Sequence, residues 1–149
     1  MPALEITLPD QAATEALAAR LAPFVRAGDA LLLSGDLGAG KSTFARALLR
    51  SLTGDPTLEV PSPTYTLQQT YSTRAGRVHH FDLWRLGSAA ELTELGWEEA
   101  LDDVILVEWP ERLAEHTPED ALSIRFTITG DASRLAQLSG WPDRLGRLA

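Results

Sequence analysis

The sequence predicts an α/β sandwich on a mixed, mostly parallel sheet, and three features lead to that prediction. Short apolar runs, "ALLL" at 30–33 and "VILV" at 104–107, read as strands buried on both faces. Segments of helical periodicity alternate with them, and "TYTLQQTY" and "RVHHFDLW" around "STRAG" read as a hairpin. At 149 residues the chain suits one domain spanning 1–149, with no linker, repeat or low-complexity tract.

Taken in order, "LEITL" (4–8) alternates like a strand, and Pro9-Asp10 offers a turn and an N-cap for a helix expected over 11–26, closed by Gly28. "ALLL" feeds a glycine-rich loop, and "STFARALLRSL" is a helix ended near Gly54. After the hairpin, Ser88 and Glu91 have the spacing of a capping box for a short helix that Gly96 stops. "VILVEW" is another buried strand, which Pro110 cannot continue. "ALSIRFTITG" is a late strand, and the tail "WPDRLGRLA" is at best a short helix.

Composition narrows the function classes. Apolar residues are 44% and charged residues 23%, so neither disorder nor a fibrous repeat is expected. The absence of cysteine excludes disulfides and thiolate metal sites. No apolar run approaches the ~18 residues that cross a bilayer, and "MPALEITLPD" lacks the regions of a signal peptide, so a cytoplasmic protein without membrane partners is expected. A net charge of −8 argues against a free-standing nucleic-acid binder. Residues 91–120 hold eleven acids against one base, Arg112, so this stretch is −10 and the remainder +2. It reads as a solvated helical surface or as a docking face for a basic partner.

Gly35-Asp36-Leu37-Gly38-Ala39-Gly40-Lys41-Ser42 satisfies the P-loop pattern G-x-x-x-x-G-K-[ST], between an apolar strand and a helix. The spacing has a physical origin: successive backbone N–H groups can wrap a polyphosphate only where missing Cβ atoms let the chain curl tightly. The following helix adds unpaired N–H groups and the positive end of its dipole. Lys41, the chain's single lysine, can neutralise the β and γ phosphates, and the Ser42 hydroxyl can ligate Mg²⁺.

Such a site also needs a carboxylate at the end of a neighbouring buried strand. Glu108 ends one strand, with Glu where Asp is usual, and Asp82 ends another. Either can hold Mg²⁺, directly or through water, leaving the other to orient the attacking water or sense the γ-phosphate. Thr64, in "PSPTYT", lies where many P-loop proteins carry a γ-phosphate-sensing loop. Trp109 can pack near a nucleotide or serve the core. His79 and His80, adjacent on a strand, point to opposite faces and cannot share a metal, so both read as core or surface residues.

Together, "GDLGAGKST", "SPTYTL", "HFDLWRL", "ELTELG" and "LVEWPERL" resemble the TsaE family of small bacterial P-loop ATPases, in order and spacing over roughly residues 4–130. The resemblance implies a P-loop NTPase sandwich, ATP with Mg²⁺, and action with the TsaD and TsaB proteins in forming threonylcarbamoyladenosine (t6A) at position 37 of tRNA. The ATPase would reset the synthase between turnovers, with any tRNA contact indirect. Residue by residue, it marks Gly38, Ala39, Gly40, Lys41, Ser42 and Thr43 as the phosphate cradle, Ser42 as the metal hydroxyl and Glu108 as the metal carboxylate. It marks Asp82 and Thr64 as needed for hydrolysis, and Gln11 and Thr14 as lining the adenine side. The family usually has Thr at Ser42 and Tyr at Trp84. Past Gly130 the resemblance fades.

An ATPase completed and activated by partners is therefore expected. The alternatives are a small-molecule kinase, for which no Arg-rich lid is evident, and a nucleotide-gated binding module.

Overall fold

The computed structural model describes residues 4–61, 63 and 66–148. Among these residues seven strands form one sheet in the order β1-β7-β6-β2-β5-β4-β3: β1 (Leu4–Leu8), β2 (Ala30–Ser34), β3 (Gln68–Thr73), β4 (Gly76–Asp82), β5 (Val104–Glu108), β6 (Leu122–Ile128) and β7 (Arg134–Ser139). The four central strands β6, β2, β5 and β4 pair in parallel, while β1, β7 and β3 join antiparallel at the margins. The sheet is thus mixed, with its parallel pairing confined to the middle.

Alternation along the strands sends residues to two cores. One face carries Leu31, Leu33, Val78, Leu106, Ile124 and Phe126 and is covered by α1 (Gln11–Leu21), α2 (Lys41–Thr53) and α5 (Pro142–Leu148). The other carries Leu32, Phe81, Ile105 and Val107 beneath α3 (Ala89–Glu94), α4 (Trp97–Ala100) and the 3₁₀ segment Pro110–His116. Helix α2 presents Phe44, Ala45, Leu48, Leu49 and Leu52 to the sheet, each buried, at helical spacing. Full burial of such a leucine or phenylalanine stabilises by roughly 1.5–3 kcal/mol, so this face clamps the helix following the glycine loop. Toward β6, Ser123, Arg125 and Thr127 leave the second face open to solvent.

Several local expectations change. The first helix stops at Leu21 and tightens into a 3₁₀ turn over Ala22–Phe24, because Pro23 has no N–H to continue the ladder. At its start, Asp10 accepts a hydrogen bond from the Ala13 N–H at 2.9 Å, as an N-cap should. The capping box does not close: Ser88 makes no side-chain cap bond, and the Glu91 carboxylate instead accepts from the Gly87 N–H at 2.6 Å. Strand β7 lies where the sequence predicts no strand. Its "RLAQLS" has weak strand character but lies between β1 and β6, whose open edges it satisfies while burying Ala136 and Leu138. The tail forms α5, held by Arg144, which makes a two-pronged bond to buried Asp29 at 2.6 and 3.1 Å.

The acidic stretch coats the second face. Glu94, Glu98, Glu99, Asp102, Glu111, Glu115, Glu119 and Asp120 are exposed, whereas Glu108 is buried.

Candidate functional site

β5 and β6 flank β2 on opposite sides, so the loops leaving the carboxyl ends of these parallel strands diverge and open a crevice. A cleft of about 480 Å³ lies there. The loop between β2 and α2 forms its floor.

Backbone geometry makes that loop possible. Gly35 has φ +138°, and a Cβ there would meet the Phe126 carbonyl oxygen of β6 at 2.4 Å, so only glycine lets the loop leave the strand at this angle. Gly40 (φ +114°) turns the chain directly into α2. Ala39 does not line the cleft: it is buried in the core and its N–H donates to the Asp36 carbonyl at 3.0 Å.

Lys41 opens α2 and is 5% exposed. Its ammonium donates to the carbonyls of Gly35 and Asp36 and lies 3.9 Å from the Trp109 ring centroid. Burial pushes its pKa below the ordinary lysine value, and the carboxylates of Glu108, Glu111, Asp82 and Asp36 oppose that shift. The cleft therefore holds a desolvated cation among its lining side chains.

Ser42, one residue on, donates its hydroxyl to Glu108 Oε1 at 2.9 Å. The serine lone pairs stay available to a cation, since the hydroxyl spends its proton on the carboxylate. Glu108 is 2% exposed, and its other oxygen, Oε2, lies 2.7 Å from His80 Nε2. Asp82 pairs in register with Glu108 across the β4–β5 ladder, 5% exposed, and its Oδ1 accepts from the Trp84 N–H at 3.1 Å. Hydroxyl and carboxylate oxygens are the hard donors that suit Mg²⁺, which characteristically takes one or two protein groups and completes its shell with phosphate oxygens and water. The donor set fits that ion.

Trp109 adopts φ +61° just after β5, a left-handed turn that costs a non-glycine residue about 1 kcal/mol. The turn lays its half-buried ring over Lys41 and against Trp84, with 4.4 Å between ring centroids.

Of the residues singled out in the sequence, Gln11, Thr14, Gly38, Gly40, Lys41, Ser42, Thr43, Asp82, Glu108 and Trp109 all line this cleft. Thr64 falls outside the described residues. Sequence reasoning missed Arg134, whose guanidinium donates to the Gly38 carbonyl at 2.9 Å and to the Gly130 carbonyl at 3.1 Å, tying the β6–β7 turn to the glycine loop. No local pattern marks it, since it enters through β7. His80, read from the sequence as a core or surface residue, is buried, and it lies 2.7 Å from Glu108. The signal existed: His80 and Asp82 are two apart on one strand and share a face.

Comparison with known proteins agrees with this architecture. The family model described as "Threonylcarbamoyl adenosine biosynthesis protein TsaE" matches residues 8–136. A protein of Rickettsia felis named tRNA threonylcarbamoyladenosine biosynthesis protein TsaE is 37% identical over 134 residues, 89% of this chain and 78% of that one. The Bacillus subtilis protein of the same name is 37% identical over 123 residues, covering 81% and 75%. The crystal structure of Bacillus subtilis YdiB superposes with a TM-score of 0.77 at 28% identity, covering 99% of this chain and 91% of that one. A glycine loop at the carboxyl edge of a parallel sheet, joined to this match over most of the sequence, establishes that the chain belongs to the TsaE family.

Proposed function

We propose that the protein is a Mg²⁺-dependent ATPase that supports t6A37 modification of tRNA by binding and resetting the TsaD–TsaB threonylcarbamoyl transferase. The observation that carries the nucleotide reading is the convergence of Lys41, Ser42 and Glu108 from α2 and β5 in the lining of one cleft. The pathway rests on the names of the relatives, which are those of tRNA threonylcarbamoyladenosine biosynthesis proteins.

In this reading the loop amides and Lys41 bind the β and γ phosphates, and Lys41 leaves the Gly35 and Asp36 carbonyls to do so. Glu108 holds the Ser42 hydroxyl in place. Ser42 and Glu108 would hold Mg²⁺, which would neutralise charge on the phosphate oxygens. Asp82, at the paired strand end, orients water for in-line attack on the γ-phosphorus, whose bond to the bridging oxygen of ADP breaks as the new P–O bond forms. Thr64 is assigned to hydrolysis with Asp82, and Gln11 and Thr14 to the adenine side of the cleft. The exposed carboxylates of α3, α4 and the 3₁₀ segment give a negative surface for docking a basic face of the partner pair.

ATP hydrolysis by the purified chain, alone and with the TsaD and TsaB proteins of the same organism, tests the proposal. A low basal rate that rises with the pair is expected. A rate indifferent to them would reject the partner-activated reading, and consumption coupled only to an added metabolite would make the protein a kinase.

A further inference from the structure

His80 is 1% exposed, and its Nδ1 makes no hydrogen bond among the described residues, although it is buried. An aliphatic or phenyl side chain would fill the same space without leaving an acceptor unpaired. What the imidazole provides instead is Nε2, which meets Glu108 Oε2 at 2.7 Å, while Glu108 Oε1 receives the Ser42 hydroxyl at 2.9 Å. Three side chains from β4, β5 and α2 thus form one continuous line of hydrogen bonds that ends at the glycine loop.

The need for such a line follows from the length of glutamate. Glu carries one more rotor than Asp, and its terminal carboxylate torsion is broad and roughly two-fold. A carboxylate held only by a serine hydroxyl could swing with it. Anchoring Oε2 from behind leaves Oε1 a single position and so fixes where the Ser42 oxygen points.

We propose that His80 is a positioning residue of the metal–nucleotide site: it donates Nε2–H to Glu108 and thereby orients Ser42 toward the cation. The proposal rests on the reading of Ser42 and Glu108 as the Mg²⁺ site given above. It requires the Nε2-protonated tautomer, because only that form places a hydrogen between the ring and the carboxylate.

The test uses the full chain, with Mn²⁺ as the probe. Electron paramagnetic resonance gives the Mn²⁺ affinity of the ADP-loaded protein, and ADP affinity is measured separately in EDTA. His80→Phe keeps an aromatic ring and removes the donor; His80→Gln returns an amide N–H near the place of Nε2. His80→Phe is expected to weaken Mn²⁺ binding about tenfold or more, with ADP affinity in EDTA unchanged, and His80→Gln to restore most of the loss. Wild-type Mn²⁺ affinity in a folded His80→Phe protein would overturn the proposal. Long-range ¹H–¹⁵N NMR of the wild-type protein decides it without any variant: a protonated Nε2 and bare Nδ1 are expected, and an Nδ1-protonated ring would overturn it. If the wild-type protein bound no Mn²⁺ with ADP, the metal–nucleotide reading would fall and take the proposal with it; if it did, and His80→Phe matched it, only the role of His80 would fall.

Discussion

The Lys41 ammonium lies 3.9 Å from the centroid of the Trp109 ring, so the cation that opens α2 rests on the aromatic face that follows β5. The contact bridges the start of α2 and the end of β5, and it depends on the left-handed turn at Trp109. A cation over an indole face is worth about 0.5–2 kcal/mol, depending on desolvation.

Trp109→Ala should therefore lose both the cation–π contact and a wall of the cleft, weakening nucleotide binding roughly 3- to 30-fold, with Trp109→Phe in between. Titration with a fluorescent ATP analogue measures this. Affinities in both variants equal to wild type would remove Trp109 from the site.

Lys41→Met separates stability from function. The buried ammonium is held at a desolvation cost, so the variant should melt at the same temperature or higher while hydrolysis falls roughly a hundredfold or more. A pH dependence follows. The folded-state pKa is lowered, so between that value and the unfolded value near about 10.4 the unfolded chain binds more protons, and wild-type stability rises with pH across that window. Below the window the full penalty stands. Denaturant melts at increasing alkaline pH should show wild type gaining on Lys41→Met; a constant gap would contradict the shift.

Asp82→Asn and Glu108→Ala should both fold and both lose turnover. They differ in stability. Glu108→Ala strands the buried His80 Nε2 and the Ser42 hydroxyl, a loss of about 1–3 kcal/mol, whereas Asp82→Asn keeps the oxygen that accepts from the Trp84 N–H. Thermal melts beside single-turnover hydrolysis check both halves, and wild-type rates in the two variants would refute the assigned roles.

Gly35→Ala should destabilise the fold by roughly 2 kcal/mol or more, because the new Cβ would collide with backbone, the Phe126 carbonyl at 2.4 Å, and the backbone there has φ +138°. Gly38→Ala supplies the contrast: no atom of the described residues lies within 4 Å of its Cβ, so among them only strain at φ +80° opposes the change. Equal melting temperatures for the two would show that the crossing with β6 is looser than described.

Much of the site was legible because its chemistry is local. The glycine spacing, Lys41 and Ser42 occupy consecutive turns of one loop and helix, and Glu108 and Asp82 announce themselves as acids closing apolar strands. Gln11 and Thr14 came through family resemblance and line the same cleft. Arg134 was not legible, as its strand β7 exists only because β1 and β6 offer edges to pair with. The Ser88–Glu91 spacing did suggest a box, but the carboxylate found the nearer Gly87 N–H.

The sequence by itself determined the elements whose signals are short-range: the apolar runs of β2 and β5, the glycine loop, the amphipathic α2 and the hairpin of β3 and β4. Only the tertiary structure decided strand order, the antiparallel margins, the turn that lays Trp109 over Lys41, and the line from His80 through Glu108 to Ser42. The physical reason is range. Helix caps, strand alternation and glycine turns are settled by neighbours within a few residues, whereas hydrogen bonds spanning 28 and 66 positions depend on which strands lie side by side.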